Sequence, residues 1–344
     1  MAFLEFPNVR IAGISAGVPC KVVDNLLGAG ISKEYDPENF VKTTGIRERR
    51  VNNLTTSDLC IPAAEKLILD LGWDKSEIEA VIFVCQFRDY ILPATSCIIQ
   101  DKLGLSKECY ATDIALGCSG WVYGLSSVVS LMCNGGIKKA LLMAGDARRH
   151  CETVEPLFGY AGTVTALEYK EGEKGFQFHF GTDGSGYDAI IIPDGGARNQ
   201  ITASSFDREE IDGQKLNRLE VKMSGMDVFS FGISTAPKSV KTLAVHFGFN
   251  YQDADYFVFH QANLMMNNMI AKKLKLQPEK VPSGLYHFGN TSSASIPLAI
   301  VTELRGKFED KVTKFICCGF GVGLSWGSVA FETQNIVISE LVEV

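Results

Sequence analysis

Short, almost continuously apolar runs alternate with longer segments of helical spacing along most of the chain. In the first half, Ala80–Cys85 and Lys139–Gly145 are typical of strands buried on both faces of a sheet. Residues 108–115 predict another strand, and helices are predicted over residues 93–103 and directly after Cys118. This order of strand, helix, strand, helix and strand indicates a largely parallel sheet covered by helices.

The second half repeats this order, which indicates a degenerate internal duplication. Its predicted elements are a strand at 255–259, a helix at 261–274, a turn and helix within 283–306, a strand at 314–320 and, after a glycine-rich turn, a strand at 324–331. Two such units predict an α/β protein with five α/β/α/β/α layers and mostly parallel mixed sheets. The turn-forming residues 181–186 place the division between halves 1–180 and 181–344.

Composition and charge exclude several classes of function. The 344 residues are 46% hydrophobic and 21% charged, and 33 basic against 40 acidic residues give a net charge of −7. No Lys/Arg cluster points to nucleic acid, no apolar run is long enough for a membrane span, and the first residues do not resemble a secretion signal. The ten cysteines form no C-x-x-C pair. We therefore expect no metal site, and reduced thiols in a cytoplasmic protein.

Cys118 is the first candidate for chemistry. It lies where a predicted buried strand turns sharply and starts a helix, among small residues that permit close approach of a substrate. A thiol at a helix start faces unpaired N–H groups and the positive end of the helix dipole, which favour the nucleophilic thiolate. The alternative is a buried structural cysteine, and this segment alone leaves both interpretations open.

His260 and Asn290 are two further candidates. Ligands of parallel sheets bind at the carboxyl ends of strands, and we expect Cys118, His260 and Asn290 each to follow such a strand and to converge. A neutral imidazole can donate a hydrogen bond or take a proton from the thiol, and an amide NH₂ can stabilise a developing negative charge. Each residue also has a structural alternative, as a satisfied core histidine or a helix-capping asparagine.

The glycine-rich turn at residues 318–324 lacks the strand-then-helix context of a nucleotide-binding loop, so we exclude dinucleotide binding. Its simplest interpretation is a tight hairpin between two buried strands. In a functional interpretation, the backbone N–H of Val322 joins that of Cys118 to form an oxyanion hole.

Several motifs occur in a defined order along nearly the whole chain. They are TGIRER at 44–49, Cys118 in its turn, HQAN at 260–263, GNTS at 289–292, and FGVG at 320–323 with WGS at 326–328. In these motifs the chain resembles the thiolase superfamily and, within it, the β-ketoacyl-acyl-carrier-protein synthase III family, as a divergent member. The resemblance implies a thiolase-like fold and an acyltransferase that performs a decarboxylative condensation.

In the implied mechanism, Cys118 attacks an acyl thioester and holds the acyl group covalently. His260 and Asn290 then hydrogen-bond the thioester oxygen of a malonyl-carrier as carbon dioxide leaves. The resulting carbanion attacks the acyl-cysteine, whose oxyanion faces the N–H groups of Cys118 and Val322. The pathway is expected to be fatty-acid or secondary lipid or polyketide-type biosynthesis.

The resemblance also implies partners. An acyl-carrier protein, acyl-CoA or both would supply the substrate on a phosphopantetheine arm, with no cofactor of the enzyme's own. A homodimer would form through strands around residues 109–114. Six residues are candidates for contact with the substrate, although plain core packing is an alternative for the aromatic ones: Leu92, Phe87, Tyr123, Phe158, Asn263 and Phe320.

Departures from the family pattern concern donor recognition. Asn39 and Thr43 replace a Trp and an Arg that grip the donor, Met265 replaces a basic residue that meets the carrier protein, and Tyr160 replaces an Asp. Arg148 and Arg149 are candidate substitutes for a missing phosphate-binding Arg. Since phosphate recognition relies on Arg and Lys, free CoA thioesters should bind poorly, which suggests a specialised member.

Two other functions stay open at the level of sequence. The first is an acyltransferase that moves an acyl group to an alcohol or amine without decarboxylation. The second is a non-catalytic subunit that stabilises an active homologue, although a scaffold has no need for Cys118, His260 and Asn290 together.

Overall fold

The computed structural model of the protein describes residues 2–27, 36–147, 156–211 and 214–344. The strands are β1 (Ala2–Phe6), β2 (Val9–Val18), β3 (Val22–Asp24), β4 (Glu48–Arg50), β5 (Ala80–Val84), β6 (Tyr110–Ile114), β7 (Lys139–Gly145), β8 (Gly162–Tyr169), β9 (Phe176–Thr182), β10 (Ile190–Ile191), β11 (Glu209–Ile211), β12 (Gln214–Leu216), β13 (Lys222–Met223), β14 (Tyr256–Phe259), β15 (Thr313–Gly321), β16 (Ser325–Thr333), β17 (Val337–Ile338) and β18 (Val342–Glu343). The α-helices are α1 (Pro37–Thr44), α2 (Thr56–Leu71), α3 (Thr95–Lys102), α4 (Gly120–Met132), α5 (Gly225–Phe247), α6 (Leu264–Leu274), α7 (Leu285–Phe288) and α8 (Ser295–Leu304).

The first large sheet brings the ends of three parallel strands to one edge. Its order is β17-β2-β8-β7-β5-β6, and β18 also pairs with β2. β5 runs parallel to both β6 and β7, in a register that places Ala80 opposite Tyr110 and Ala140. β8 is antiparallel to its neighbours β7 and β2. Since β5, β6 and β7 are parallel and aligned, the segments that follow them start at the same edge.

The second large sheet has the order β1-β9-β16-β15-β14. Only β14 and β15 are parallel among these strands. The glycine-rich turn connects β15 to β16 as an antiparallel hairpin, and the pairs β16–β9 and β9–β1 are antiparallel as well. Both sheets are mixed, and the expected predominance of parallel pairs holds for the first sheet but is wrong for the second.

The sequence halves and the two sheets do not coincide. The predicted division between residues 180 and 181 falls inside β9. β1 from the start of the chain pairs with β9 in the second sheet, while β17 and β18 from its end pair with β2 in the first. The two chain ends thus tie the sheets together.

Five layers of secondary structure build the core, as predicted. α2 and α3 cover the outer face of the first sheet, α4 and α8 lie between the sheets, and α5 covers the outer face of the second sheet with α6 beside it. The side chains of β5 point alternately to the two faces of the sheet. Val81 and Phe83 pack with Leu67 of α2, whereas Ile82 packs with Leu125 of α4.

The elements predicted around the candidate residues are confirmed, mostly with shorter ends. The strand predicted at 139–145 coincides with β7, and the helix predicted at 93–103 is α3. The glycine-rich turn forms the predicted hairpin, with Gly321 at φ 156° and Gly323 at φ 139°. These conformations favour glycine over residues with a side chain.

Candidate active site

Strand ends from both sheets meet at one place in the middle of the molecule. Cys118 follows β6 in the first sheet, and His260 follows β14 in the second. Gly321, the last residue of β15, lies against Cys118, so close that a Cβ atom added to it would be 2.9 Å from Cys118 Sγ. The two halves therefore meet at Cys118 through the end of β15.

Cys118 lies just before α4, and the residue as a whole is partly exposed. Its Sγ atom is 3.9 Å from the hydroxyl oxygen of Ser292. Gly319 packs on the backbone of the same turn, where an added Cβ would be 2.9 Å from Cys118 O. Glycines at 319 and 321 are therefore required for β15 to approach the thiol this closely.

Burial of Cys118 opposes the expected preference for the thiolate. Burial raises the pKa of the Cys118 thiol to about 11, and the charge of Asp146 acts in the same direction. The Ser292 hydroxyl and the backbone N–H groups of Val322 and Cys118 lower this pKa, but by less than burial raises it. Attack by the sulfur consequently requires that its proton be removed during the reaction.

His260 is held neutral. It is buried, and burial lowers the pKa of its imidazole to about 3, with a smaller opposing contribution from the main chain of Ser292. Its Nδ1 atom is 2.8 Å from Ser295 Oγ, and its ring lies edge-on to that of Phe320 at 5.6 Å. A neutral imidazole of so low a pKa is a poor proton acceptor, so it is suited to donating a hydrogen bond.

Asn290 was predicted to follow a strand, and this prediction is wrong. It comes directly after Gly289, which ends the short helix α7, and it pairs with Phe158 through an isolated parallel β-bridge. Its Oδ1 atom accepts a hydrogen bond of 2.9 Å from the backbone N–H of Ser292. The amide NH₂ is the donor end of this side chain and can donate to a substrate oxygen.

The TGIRER motif supports the segment that carries Asn290. Arg49 is buried, and its guanidinium donates to Asn25 Oδ1 at 2.7 Å and to the carbonyl oxygen of Phe158 at 3.2 Å. Phe158 is in turn bridged to Asn290. The motif therefore fixes the position of Asn290 without itself reaching the thiol.

Ser292 connects the three predicted residues, and sequence analysis missed it. Its hydroxyl is next to Cys118 Sγ, its N–H is bonded to Asn290, and its main chain acts on the pKa of His260. Its φ of 52° is a left-handed conformation that residues with a side chain rarely adopt. The position of Ser292 within the GNTS motif was the signal from which it could have been found.

Asp146 was also missed. It follows β7 directly, as Cys118 and His260 follow their strands, and is 8% exposed. Its Oδ1 accepts a hydrogen bond of 2.7 Å from the backbone N–H of Gln86, and its Oδ2 accepts one of 3.2 Å from the Ser293 hydroxyl. The strand-end rule applied to β7 would have found this carboxylate.

The predicted oxyanion hole has its two backbone donors beside the sulfur. The N–H groups of Val322 and Cys118 both act to lower the pKa of the thiol. The turn that carries Val322 is fixed by Ser325, whose hydroxyl donates to the carbonyl oxygen of Val322 at 2.7 Å and lies 2.7 Å from Ser119 Oγ.

Two of the six predicted substrate-contacting residues, Phe320 and Phe158, have contacts with the site residues. Phe320 packs on the ring of His260, and Phe158 is bridged to Asn290. Asn263 begins α6, and its Oδ1 accepts a hydrogen bond of 2.9 Å from the N–H of Met266, so it has a structural role as a helix cap.

For Tyr123, Phe87 and Leu92 the structure shows other surroundings. The hydroxyl of Tyr123 donates to the carbonyl oxygen of Gly181 at 3.1 Å, and its ring packs on Phe180. Phe87 packs against the core cluster between α2 and the first sheet. Leu92 is 84% exposed in this chain.

Three of the positions that depart from the family pattern line one surface groove. Asn39 and Thr43 of α1 face Met265 of α6 across a groove of about 370 Å³. Four more residues line it: Lys42, Leu264, Asn268 and Met269. Tyr160 is buried in a small cluster with Leu59 and Ala147, and Arg148 and Arg149 lie outside the described residues.

Three further findings concern the described part of the chain. It contains no group of three His, Cys, Asp or Glu side chains that could hold a metal ion. The cysteines it includes are all free thiols. None of its helices combines the length and the apolar character needed to cross a membrane.

Comparison with known families gives two matches. Residues 112–184 match 3-oxoacyl-[acyl-carrier-protein] synthase III, and residues 246–333 match the C-terminal region of the same family. The first match contains Cys118 and the second contains both His260 and Asn290.

Individual relatives are similar over almost their whole length. A putative 3-oxoacyl-[acyl-carrier-protein] synthase 3 of Campylobacter jejuni is 31% identical, with 97% of this chain and 98% of that protein covered. The β-ketoacyl-[acyl-carrier-protein] synthase III of Clostridium acetobutylicum is 31% identical, with 94% and 98% covered. The crystal structure of a 3-oxoacyl-(acyl-carrier protein) synthase from Burkholderia xenovorans LB400 superimposes with a TM-score of 0.91 at 37% identity, covering 100% of this chain and 99% of that one. The thiolase-like fold is thereby confirmed.

Proposed function

The chain belongs to the 3-oxoacyl-[acyl-carrier-protein] synthase III family, and from that premise we propose that it is a condensing enzyme, an acyltransferase that joins an acyl group to a malonyl unit on an acyl-carrier protein. One observation carries this proposal. Cys118, His260 and Asn290, which come from distant parts of the sequence, all contact or adjoin Ser292 at the junction of the two sheets.

In the first half-reaction, Cys118 Sγ attacks the carbonyl carbon of an acyl thioester. A new C–S bond forms, the carbon–sulfur bond of the donor breaks, and the thiol proton of Cys118 ends on the departing thiol. The backbone N–H groups of Cys118 and Val322 lie beside the sulfur, where they can stabilise the oxyanion. Loss of one such donor typically costs about 3 kcal/mol of transition-state stabilisation.

In the second half-reaction, the malonyl thioester loses carbon dioxide. Negative charge develops on its thioester oxygen, which neutral His260 and the Asn290 amide can stabilise as hydrogen-bond donors. The carbanion attacks the acyl carbon on Cys118, forming a carbon–carbon bond and breaking the C–S bond. The Cys118 thiolate takes up one proton from solvent, and a β-ketoacyl-carrier is released.

The substrates bring their own phosphopantetheine arm, so the proposal requires no cofactor of the enzyme. The groove between α1 and α6 bears on the choice of donor, because Asn39, Thr43 and Met265 give it polar and apolar side chains where the family pattern has a Trp, an Arg and a basic residue. Lys42 is the positively charged side chain that lines the groove, so the groove offers little charge for the phosphates of free CoA. We therefore expect a specialised enzyme that accepts acyl groups from a carrier protein more readily than from CoA.

A homodimer is part of this proposal. β6 is the outermost strand of the first sheet beyond β5, and the nearby loop exposes Tyr90, Ile91 and Leu92 at 62%, 83% and 84%. Exposed apolar side chains next to an open sheet edge are typical of an interface. In a dimer formed there, Leu92 would reach the partner subunit, as the family resemblance implies.

The proposal is tested by presenting purified protein with acyl-CoA and with several acyl-carriers, and then with malonyl-carrier. We expect acylation of Cys118, measured by peptide mass, to be fastest from a carrier, and carbon dioxide to be released with the β-ketoacyl product. Acylation followed by transfer to an alcohol or amine without carbon dioxide would indicate the non-decarboxylating acyltransferase instead. No acylation from any donor would favour the non-catalytic subunit, and efficient use of acetyl-CoA would contradict the specialised donor.

A further inference from the structure

The two backbone donors of the proposed oxyanion hole lie on turns from opposite halves of the chain. Cys118 precedes α4, and Val322 directly follows β15. β15 packs on the turn of Cys118, since Cβ atoms added to Gly319 and Gly321 would be 2.9 Å from the carbonyl oxygen and the sulfur of Cys118. An oxyanion that is bound by both N–H groups therefore requires these two turns to keep a fixed separation.

Ser119 and Ser325 connect the two turns directly. Their hydroxyl oxygens are 2.7 Å apart, although the residues are separated by 206 positions in the sequence. Both residues are buried, so bulk water does not compete for this hydrogen bond. The bond joins the residue after Cys118 to the first residue of β16.

The direction of the hydrogen bonds follows from the number of protons. The Ser325 hydroxyl donates its one proton to the carbonyl oxygen of Val322 at 2.7 Å. Ser325 can therefore only accept from Ser119, whose hydroxyl must be the donor of the bond between them. The result is an ordered chain of hydrogen bonds that runs from Ser119 through Ser325 to the main chain of Val322.

Ser119 stands at a position where serine usually has another role. It is the N-cap residue of α4, and a serine side chain there typically accepts a hydrogen bond from a backbone N–H of the first helical turn. Ser119 makes no such capping bond to α4 and is bonded to Ser325 instead. The hydroxyl at this helix start thus joins the two halves of the site and does not stabilise the helix.

We propose that Ser119 and Ser325 are positioning residues for the oxyanion hole, which hold the N–H groups of Cys118 and Val322 at the separation that an oxyanion requires. They act through the main chain, and no proton or electron passes through the pair. The pair should therefore affect reactions of Cys118 that form a tetrahedral oxyanion, and not those that form none. This inference rests on the proposed function in one respect, the assignment of the oxyanion to these two N–H groups.

Two reagents applied to the full-length protein separate these reactions. With p-nitrophenyl acetate, a C–S bond forms through a tetrahedral oxyanion, the ester C–O bond breaks and p-nitrophenolate leaves. With iodoacetamide, a C–S bond forms by direct displacement of iodide, and no oxyanion arises. Both reactions are followed by the mass of the Cys118 peptide. Acyl transfer from an acyl-carrier is measured beside them, and thermal unfolding reports whether each variant is folded.

We expect Ser325→Ala to slow acetylation of Cys118 by roughly 10- to 100-fold, because a misplacement of about 1 Å can cost 100-fold in rate. Ser119→Ala should slow acetylation as well, since it breaks the bond between the two turns. Alkylation by iodoacetamide needs no oxyanion hole and should change by less than about twofold in both variants. The double variant should be no slower than the slower single variant, because both changes break one chain of hydrogen bonds.

Ser239→Ala is the matched control. The hydroxyl oxygen of Ser239 on α5 is 2.7 Å from that of Ser328, which lies on β16 like Ser325, and Ser239 is also buried. This variant loses the same kind of hydrogen bond, and we expect wild-type acetylation of Cys118. Equal slowing of acetylation in Ser239→Ala and Ser325→Ala would overturn the proposal. Wild-type acetylation in Ser325→Ala, or equal slowing of its acetylation and alkylation, would overturn it too.

The outcome distinguishes this inference from the proposed function. If no acyl-carrier acylates the wild type, the proposed function fails, and the comparison of the two reagents still decides the role of the pair. If wild-type Cys118 reacts with iodoacetamide but not with p-nitrophenyl acetate, no oxyanion is stabilised there and the inference fails. Backbone hydrogen bonds of 2.8 and 3.1 Å between Asp183 and Leu324 also hold the hairpin. Should Ser325→Ala nevertheless not fold, Ser119→Ala decides.

Discussion

At the scale of single residues, burial dominates the chemistry of this site. Cys118 and His260 sit where two sheets and the helices between them meet, and desolvation is the largest cause of the shift in the pKa of each. Both shifts favour the neutral form of the side chain. The resting site therefore holds an uncharged thiol and an uncharged imidazole, and Asp146 supplies the charge that acts on the thiol.

His260 should make the stability of the fold depend on pH. The folded protein holds its pKa at about 3, whereas the unfolded chain has the ordinary value of 6.5. The unfolded state thus binds the extra proton, and stability is lost as the pH falls from about 6.5 towards 3, by up to about 1.4 kcal/mol per pH unit. We expect urea unfolding of His260→Gln to depend less on pH between about 7 and 5 than that of the wild type. Equal dependence in both proteins would refute this.

Gly321 provides a test of how closely β15 approaches the thiol. In Gly321→Ala the new Cβ would be 2.7 Å from Cys118 Cβ and 2.9 Å from Sγ, at a φ of 156°. We expect alkylation and acylation of Cys118 to fall by about tenfold or more, since a misplacement of about 1 Å can cost 100-fold in rate. Gly136→Ala is the control, because an added Cβ there meets nothing within 4 Å. A normal rate in Gly321→Ala would show that the approach is not needed.

Position in the sequence was enough to find Cys118 and His260, but not the chemistry around them. Strand ends are visible in the apolar pattern, and the rule that ligands bind there identified both residues. The raised pKa of Cys118 could not be predicted, because it depends on burial by β15, which is distant in sequence. Ser292 lay inside a recognised motif but gave no sign of its left-handed conformation.

At the scale of elements, the strands nearest the site were the easiest to predict. After Lys139, β7 is apolar without interruption and coincides with its prediction, because a strand buried on both faces needs no polar residue. The helices α2 and α5 were not predicted. Each contains a proline, at Pro62 and Pro237, which obscures the helical pattern although the tertiary packing retains the helix.

Asn263 at the start of α6 can have a structural role or a substrate-binding role, and variants of this residue distinguish the two. Its side chain caps the helix by accepting from the N–H of Met266. We expect Asn263→Ala to lower the free energy of unfolding by about 1 kcal/mol, and Asn263→Asp, which can still cap, to retain stability. If Asn263→Asp keeps stability but loses acyl transfer, the predicted contact with substrate gains support. If Asn263→Ala is as stable as the wild type, the capping role is wrong.

At the scale of the whole molecule, each end of the chain pairs with the sheet that the other half of the chain mainly builds. β1 completes the second sheet and β17 and β18 extend the first, an exchange that no local pattern in the sequence indicated. The duplicated order of elements was nevertheless sufficient to predict five layers, because each apolar sheet face requires a covering layer. The cytoplasmic location stays a prediction from the sequence.

The proposed dimer gives a prediction at this scale. The chain has a mass of 37.6 kDa, and we expect sedimentation to report twice that value. Ile91→Glu should shift the protein towards monomer, because a charge would be buried at the interface. Val245→Glu serves as the control, since Val245 is equally exposed at 83% but lies on α5 on the far side of the second sheet. A monomeric wild type, or equal effects of the two variants, would contradict the dimer.

The most direct test of the central claim is a single turnover of isolated acyl-enzyme. Protein acylated at Cys118 is mixed with malonyl-carrier, and the acyl mass on the Cys118 peptide, carbon dioxide and product are followed together. We expect one carbon dioxide and one β-ketoacyl-carrier for each acyl group lost, no acylation of Cys118→Ala, and normal turnover in Cys133→Ala, which removes another free thiol. Carbon dioxide without loss of the acyl group, or turnover by Cys118→Ala, would contradict condensation at this sulfur.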